Sequence, residues 1–242
     1  MLIIIRMPAI KNKIYNIERV SWKKYGIEFL SIFIAVLSAF ALNNWNDNRR
    51  DSNTENKIIA EISNGLRKDI EDIKTNIGGH QEGIRACKFW RNVIEGKQVA
   101  LDSVEKHYLN LTRDFISIQN TSGYETLKSR GLELLKNDSL RSEIISLYEY
   151  DYKILRKFEE EYDEMQFHKN YFKELTIYLG PNLVFDEKGK VSKLDLPLEM
   201  SQTDKNILLT YLWKIQLNRS FVLHFYSDVA TNVKQLLDRI ES

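Results

Sequence analysis

The side chains that most often carry chemistry are few and widely spaced in this sequence. None of the four histidines lies three or four residues from another, so none can form the paired metal ligands of a helix face. Cys87 is the single cysteine, which excludes a disulfide within the chain and a thiolate metal cluster. Cys87 could therefore form an intermolecular disulfide or be a small buried side chain on a helix, and we favour the buried side chain. We predict no metal site; the histidines are His80, His107, His168 and His224.

One run of acidic residues could in principle supply a pair of catalytic carboxylates. Consecutive helical positions point in different directions, so the run indicates a solvated helix face rather than two carboxylates aimed at one substrate. The sequence also contains no phosphate-binding glycine loop, no dinucleotide fingerprint and no nucleophile elbow. We therefore predict no catalytic residue and no cofactor site. The acidic residues concerned are Glu159, Glu160, Glu161, Asp163 and Glu164.

The composition is that of a folded and largely helical protein. Of the 242 residues, 43% are apolar and 29% are charged, which is too apolar for a disordered chain. Only ten glycines and three prolines occur, and so few chain breakers favour long helices over a many-turned β-sandwich. The net charge of +1 gives no reason to expect nucleic acid or an acidic substrate as a partner.

The most hydrophobic stretch, residues 27–42, has the length and flanks of a transmembrane helix. It covers about 24 Å as a helix, and the distance from Trp22 to Trp45 is roughly 35 Å, which places an aromatic residue at each membrane interface. Two other interpretations are a buried core helix, which the flanking Trp and Lys residues disfavour, and a cleaved signal peptide, because residues 39–41 read small-x-small. We predict a retained transmembrane helix over residues 25–45.

The charges on either side of this span predict its orientation. Six basic residues precede it, against Glu18 alone, whereas the basic residues at 49 and 50 are balanced by acidic ones at 47 and 51. The positive-inside rule then makes residues 1–24 a basic cytoplasmic tail and residues 46–242 an extracytoplasmic domain. The preceding basic residues are Arg6, Lys11, Lys13, Arg19, Lys23 and Lys24.

Small side chains recur every four residues along the predicted span. Ser31, Ala35 and Ala39 form a small-xxx-small strip, which lets two transmembrane helices approach closely. Glu28 lies about one turn inside the cytoplasmic edge and close to this strip, where it either snorkels to the interface or is shielded by a neighbouring helix. We therefore predict, besides the lipid bilayer, a homo-oligomer or a second single-span protein as partner.

Helical spacing dominates the chain behind the span. From residue 54 a stripe at steps of three or four predicts a long helix that continues from the span, with Gly78, Gly79 and Gly83 as weak or bending points. Its apolar positions are Ile59, Ile62, Leu66, Ile70, Ile73, Ile77, Ile84 and Cys87, with His80 filling a gap.

Capping residues divide the following chain into further elements. We predict a helix over residues 102–120, a short helix over 121–131, a long helix over 137–179 and a small hairpin near 183–193. A group of aromatic residues near the end of the long helix is expected to pack in the core. The stripe of the long helix reads Leu140, Ile144, Leu147, Ile154, Phe158, Tyr162, Met165, Phe172 and Leu175.

The last helix is predicted to begin after Ser201, and only Arg219 interrupts its apolar seam. This pattern is typical of a coiled coil or of one helix in an antiparallel bundle. The fold class we predict is mainly α, with one N-terminal transmembrane helix followed by an extracytoplasmic helical bundle whose long helices are partly coiled-coil-like. The seam consists of Leu208, Leu212, Ile215, Val222, Tyr226, Val229, Val233, Leu236 and Ile240.

Two stretches resemble a family of single-pass membrane proteins from Bacteroidota, known as a domain of unknown function. One runs from Glu28 through an apolar stretch with Ala35 at its middle to the motif Asn-Asn-Trp-Asn at 43–46, and the other covers residues 124–141. The chain departs from the family pattern where Ala and Ser replace Gly and Ile within the span. The resemblance implies a single span in a bacterial inner membrane and a periplasmic domain, and it implies no site residue.

The sequence favours a non-enzymatic function. We expect a membrane-anchored scaffold or protein-interaction module, because helical seams are present and catalytic spacing is not. The alternative is an extracytoplasmic sensor or ligand-binding helical domain. Its cytoplasmic tail of about 24 residues is too short for an output domain, so it would signal through a membrane partner. An enzyme whose site is assembled across distant helices is the third hypothesis.

Overall fold

The protein is mainly helical in the computed structural model, which describes residues 22–242. The chain divides into two compact units, Met1–Asp51 and Ser52–Ser242. We call the latter the helical unit. The basic positions 6, 11, 13 and 19, on which the predicted orientation partly rests, lie outside the described residues.

Helix α1 begins at Trp22 and ends at Ile94, which confirms that no break separates the predicted span from the helix behind it. Residues 25–45 all lie on α1 and are exposed. This part of α1 is long and apolar enough to cross a membrane, and it is the one such helix among residues 22–242. The Ser31 hydroxyl donates to the carbonyl of Ile27 at 2.8 Å, so it is hydrogen-bonded within its own helix.

Within the helical unit, α1 continues through the glycines that we predicted as weak points. Two of them provide room for other side chains. A Cβ atom on Gly79 would lie 2.2 Å from Cε1 of Phe115, and one on Gly83 would lie 2.3 Å from Nε of Arg219. These glycines therefore let two large side chains approach the axis of α1.

Helix α2 runs from Val104 to Thr112 only, after a 3₁₀ turn at Leu101–Ser103, so the prediction of a helix to residue 120 was wrong. Residues 113–121, which we call the strap, form neither helix nor strand. Several backbone N–H groups of the strap donate to carboxylates of other elements instead of to helical carbonyls. Tertiary contacts override local helix preference in this segment.

Helix α3 (Ser122–Arg130) begins and ends where the capping residues predicted, and α4 (Asp138–Ser146) begins where they predicted. Gly131 follows α3 with φ of +102°, and the Asn137 side chain accepts from the backbone N–H of Leu140 at the start of α4. At Gly123 the backbone of α3 approaches α1 closely, because a Cβ atom there would lie 2.9 Å from the backbone nitrogen of Ile62.

The long helix predicted over residues 137–179 is interrupted. After α4 come a π turn at Leu147–Asp151, α5 at Tyr152–Arg156 and a second π turn at Lys157–Glu161. A 3₁₀ turn at Asp163–Met165 then leads to α6 at Phe167–Leu179. A π turn holds more residues than an α turn and so rotates the buried face. Leu155 and Glu159 are buried, whereas the stripe predicted that their neighbours Ile154 and Phe158 would be the buried residues.

The predicted hairpin is confirmed. Strands β1 (Leu183–Phe185) and β2 (Val191–Leu194) are antiparallel, with Leu183 opposite Leu194. Gly180 and Pro181 end α6 as expected.

Helix α7 (Gln202–Glu241) begins after Ser201, whose hydroxyl accepts from the backbone N–H of Asp204 at 3.1 Å. Its predicted seam is buried, with Ile240 partly buried, and forms a large part of the core of the helical unit. Arg219, the polar interruption of the seam, is fully buried as well.

Candidate functional site

The residues that could have carried metal or thiol chemistry are distributed through the structure. His80 is buried, His168 and His224 are exposed, and no group of three or more His, Cys, Asp or Glu among residues 22–242 could hold a metal ion. Cys87 is fully buried, as we predicted, and burial raises the pKa of its thiol to about 12. A thiol in this environment is unreactive.

Carboxylates of α1 hold the strap against that helix. Asp72 Oδ2 accepts from the Ser117 hydroxyl at 2.7 Å and from the Ile118 backbone N–H at 3.0 Å. Asp69 Oδ1 accepts from the Asn120 backbone N–H at 2.8 Å. These bonds satisfy backbone donors that would be costly to bury alone. The carboxylates therefore replace helical hydrogen bonds in positioning the strap.

Glu159 completes this network. The prediction of a solvated acidic face was wrong for this one residue of the run. Its side chain is buried and accepts from the Ser117 backbone N–H at 3.1 and 3.2 Å and from the Tyr226 hydroxyl. Burial raises the pKa of this carboxyl to about 7, although both hydrogen bonds oppose the shift. The other four acidic residues of the run are exposed. Because Glu159 bonds to structural donors, the run provides no paired-carboxylate site.

Arg219 forms a second buried polar centre. Its Nη2 donates to the carbonyls of Asn110, Leu111 and Arg113 at 3.3, 3.2 and 2.9 Å, which lie at the C-terminal end of α2. Its guanidinium carbon lies 4.1 Å from the ring centroid of Phe167. The guanidinium thus neutralises the negative end of a helix and stacks on an aromatic face.

His80 lies beside this guanidinium on α1. Nη1 of Arg219 donates to Nδ1 of His80 at 3.3 Å. Burial, and to a smaller extent the charge of Arg219, lower the pKa of His80 to about 3, so the imidazole is neutral near pH 7. The rings of Phe115 and Tyr226 lie 5.4 and 5.5 Å from it. This surrounding explains a histidine in an apolar stripe.

The same elements that bury Glu159 and Tyr226 carry a cluster of aromatic side chains beside them. Phe158 and Phe225 have ring centroids 4.5 Å apart, and Phe221 lies 5.5 Å from Phe158 and 5.1 Å from Phe225. Tyr162 lies 5.9 Å from Phe158. Phe221 and Tyr162 are 47% and 46% exposed, which is unusual for such large apolar side chains in a cluster. We call these four residues the aromatic surface.

A shallow cleft of about 450 Å³ opens on the aromatic surface. Charged side chains occur at its edge, where Lys157 and Glu161 line it together with Ile154. The apolar strip continues along α7 through Leu217 and Trp213, which are 48% and 57% exposed. Trp213, Leu217, Phe221 and Phe225 are spaced by four residues and so form one ridge of the helix, distinct from its buried seam.

The aromatic surface consists of side chains that are typical of protein contacts. Aromatic side chains are enriched at protein interfaces, and π turns occur frequently at functional sites. The apolar stripe of the predicted long helix placed Phe158 and Tyr162 in the core, so it gave no sign of this surface. The sequence did contain a signal for this surface, namely the four-residue spacing of Trp213, Leu217, Phe221 and Phe225 on the last helix.

A second apolar cleft, of about 590 Å³, lies between α6 and the hairpin. Its exposed walls include Phe172, Ile177 and Phe185, at 40%, 55% and 58%. The Tyr108 hydroxyl and Thr176 Oγ1, which also line it, are 2.7 Å apart and bond to each other.

Comparisons with family models, curated proteins and solved structures give no match for this chain. The resemblance to a family of single-span membrane proteins therefore stays a prediction from residues 28–46 and 124–141.

Proposed function

We propose that this protein is a membrane-anchored, non-enzymatic scaffold or interaction module, which binds a protein partner through the aromatic surface. The observation that carries the proposal is the cluster of four aromatic rings, two of them about half exposed, which lie on the π turn at Lys157–Glu161, on the residue that follows it and on α7. An exposed apolar cluster of this kind costs solubility, and a partner that covers it removes that cost.

The proposal predicts that a partner is lost when the aromatic surface is made polar. We expect the double variant Tyr162→Ser and Phe221→Ser to reduce recovery of a co-purifying protein at least tenfold in mild detergent, because central aromatic residues carry most of the binding energy of an interface. The measurement is quantitative mass spectrometry after capture of the tagged full chain from native membrane.

The matched control replaces Tyr150 and Leu101, which are 64% and 43% exposed and lie outside the aromatic surface. This variant should retain the partner. Equal loss from both variants, or retention by both, contradicts an interaction through the aromatic surface.

The membrane location proposed here has residues 1–24 in the cytoplasm, residues 25–45 in a bacterial inner membrane and the helical unit in the periplasm as a helical bundle. The exposed apolar side chains of α1 and the charge difference across residues 25–45 support it. Reporter proteins fused after Ser242 test the orientation. A periplasmic reporter should be active there and a cytoplasmic one inactive; the reverse result contradicts the orientation.

Within the membrane, we propose close helix pairing through Ser31, Ala35 and Ala39. The internal hydrogen bond of Ser31 leaves the strip small and without an unsatisfied hydroxyl donor. This contact would make a homo-oligomer or join the chain to another single-span protein.

The alternative function is an extracytoplasmic sensor or ligand-binding domain that signals through a membrane partner. The cleft beside Phe172, Ile177 and Phe185 is the observation that favours it, because ligand pockets are concave and mostly apolar. A small molecule retained in native mass spectra of the purified chain, and lost on replacing Ile177 by Asp, would support this alternative.

A further inference from the structure

We infer that the partner of the aromatic surface is a second copy of this chain, related to the first by a two-fold axis that passes through the cleft. The inference rests on the proposed function in treating the aromatic surface as an interface. It adds the identity of the partner and the symmetry of the contact.

Two charged residues at the cleft carry the inference. Lys157 and Glu161 both line it, and within residues 22–242 neither side chain forms an ion pair or a hydrogen bond. The residues that precede them in the sequence do pair, since Nε of Arg156, the last residue of α5, lies 3.9 Å from Glu160 Oε1. The edge of the aromatic surface therefore offers one unpaired cation and one unpaired anion, less than one helical turn apart.

A surface with one charge of each sign is complementary to itself. A two-fold axis between the two residues places Lys157 against the partner subunit's Glu161, and Glu161 against the partner subunit's Lys157, so one contact forms twice. An anionic lipid surface or a nucleic acid would favour cations alone. The charge pattern favours a second copy over these two partners.

The ridge on α7 extends the contact in a form that two copies can share. Trp213, Leu217, Phe221 and Phe225 span about 18 Å along the helix. Ridges at four-residue spacing pack into each other at crossing angles of about −50°, the commonest class of helix contact. Two identical ridges satisfy this geometry across a two-fold axis, with the aromatic rings at the centre.

The affinity required of such a contact is modest. A ridge and four rings give less area than the roughly 800 Å² per partner of a standard interface. Two copies anchored in one membrane, however, meet at a high effective concentration, which strengthens a weak contact without new interactions.

Charge reversal tests the symmetry directly in the full chain. Two differently tagged copies are expressed together, captured through one tag in mild detergent, and the second tag is quantified. We expect Lys157→Glu and Glu161→Lys each to reduce co-capture at least fivefold, because each places like charges together twice. The double variant, which restores both contacts, should recover at least half of the original co-capture.

Recovery in the double variant is specific to self-association, because a different protein would not carry the compensating charge. Unchanged co-capture in both single variants, or no recovery in the double variant, overturns the inference. Lys157 and Glu161 are exposed, so folding is not at stake, and circular dichroism of each variant verifies this.

Two further variants separate this inference from the proposals on which it stands. The double variant Ala35→Leu with Ala39→Leu blocks the proposed transmembrane contact. If the Lys157 and Glu161 charge variants still reduce co-capture in this background, the contact that they disturb lies in the helical unit. If they no longer do so, the inference is overturned. If Tyr162→Ser with Phe221→Ser loses a different protein but keeps self-capture, the proposed function stands and this inference fails. If it loses self-capture, both stand, because the protein partner is then the second copy itself.

Discussion

Replacing Arg219 by alanine is expected to lower the free energy of unfolding by about 4 kcal/mol. The side chain is fully buried, and its Nη2 is the donor to three carbonyls at the C-terminal end of α2. Removing it leaves those acceptors without this donor and creates a cavity beside Gly83, where a Cβ atom would lie 2.3 Å from Nε of Arg219. The loss is a large share of the roughly 5–15 kcal/mol that stabilises a typical domain.

Urea unfolding of the full chain in mild detergent, followed by circular dichroism, measures this change. The control is Arg239→Ala, which removes an ion pair between Arg239 and Glu143 that is 37% and 43% exposed. Exposed pairs contribute about 0–1 kcal/mol, so this variant should stay close to the parent.

A methionine at position 219 separates the two causes. It fills much of the space but cannot donate to the carbonyls. If Arg219→Met recovers most of the stability, packing dominates; if it stays near the alanine variant, the hydrogen bonds to α2 dominate, as we expect. A loss below 1 kcal/mol in Arg219→Ala would contradict the structural role of this residue.

Local signals predicted the ends of helices and the seam of α7 correctly. Asn137 and Ser201 each accept from a backbone N–H at a helix start, and Gly131 and Gly180 follow helices where the spacing required a stop. Such signals are readable because the interactions lie within a few residues of each other. The apolar seam is equally local, since its period repeats along one uninterrupted helix.

The elements that were predicted wrongly depend on distant residues. The strap is held by Asp69, Asp72 and Glu159, which lie about 40 to 50 residues from their partners in it. No local pattern shows that a carboxylate replaces a helical carbonyl as acceptor. The two π turns are similarly hidden, because a single extra residue in a turn shifts the buried face without changing the composition.

The candidate site was missed for the same reason. With an uninterrupted helix, Phe158 would face the core and Glu159 the solvent. The π turn at Leu147–Asp151, which precedes both residues, has already shifted the buried face by one position, so Glu159 enters the core and Phe158 lies half-buried beside Phe221 and Phe225. The exposed row on α7 was visible in the sequence, but the seam alone was taken to define that helix.

Glu159→Gln is expected to change how stability depends on pH. Burial raises the pKa of Glu159 from an ordinary 4.5 to about 7 in the folded state. A raised carboxyl pKa contributes stability that is fully present below pH 4.5 and is lost as the pH rises to about 7, by about 3 kcal/mol in total. Glutamine cannot ionise, so it removes this loss while its amide oxygen still accepts from Ser117 or Tyr226.

His80 acts in the opposite direction and hides this effect in the parent protein. Its folded pKa is lowered from an ordinary 6.5 to about 3, so its contribution is present above pH 6.5 and is lost as the pH falls, by about 5 kcal/mol. Between pH 4.5 and 6.5 the two residues oppose each other. In the parent, the combined contribution of these two groups to the free energy of unfolding should therefore change little between pH 4.5 and 6.5. It should fall steeply as the pH drops below 4.5.

Subtracting the two proteins isolates Glu159, because His80 and the remaining titrating groups contribute equally to both. We expect the free energy of unfolding of Glu159→Gln minus that of the parent to rise by about 3 kcal/mol from pH 4.5 to pH 7.5. Glu160→Gln, a matched change on the exposed side of the same π turn, should differ from the parent by less than about 1 kcal/mol throughout. A difference for Glu159→Gln that does not change with pH would show that this carboxyl is not held protonated by burial. The Tyr226 hydroxyl, which donates to Glu159 from α7, would then face a carboxylate rather than a protonated carboxyl at pH 7.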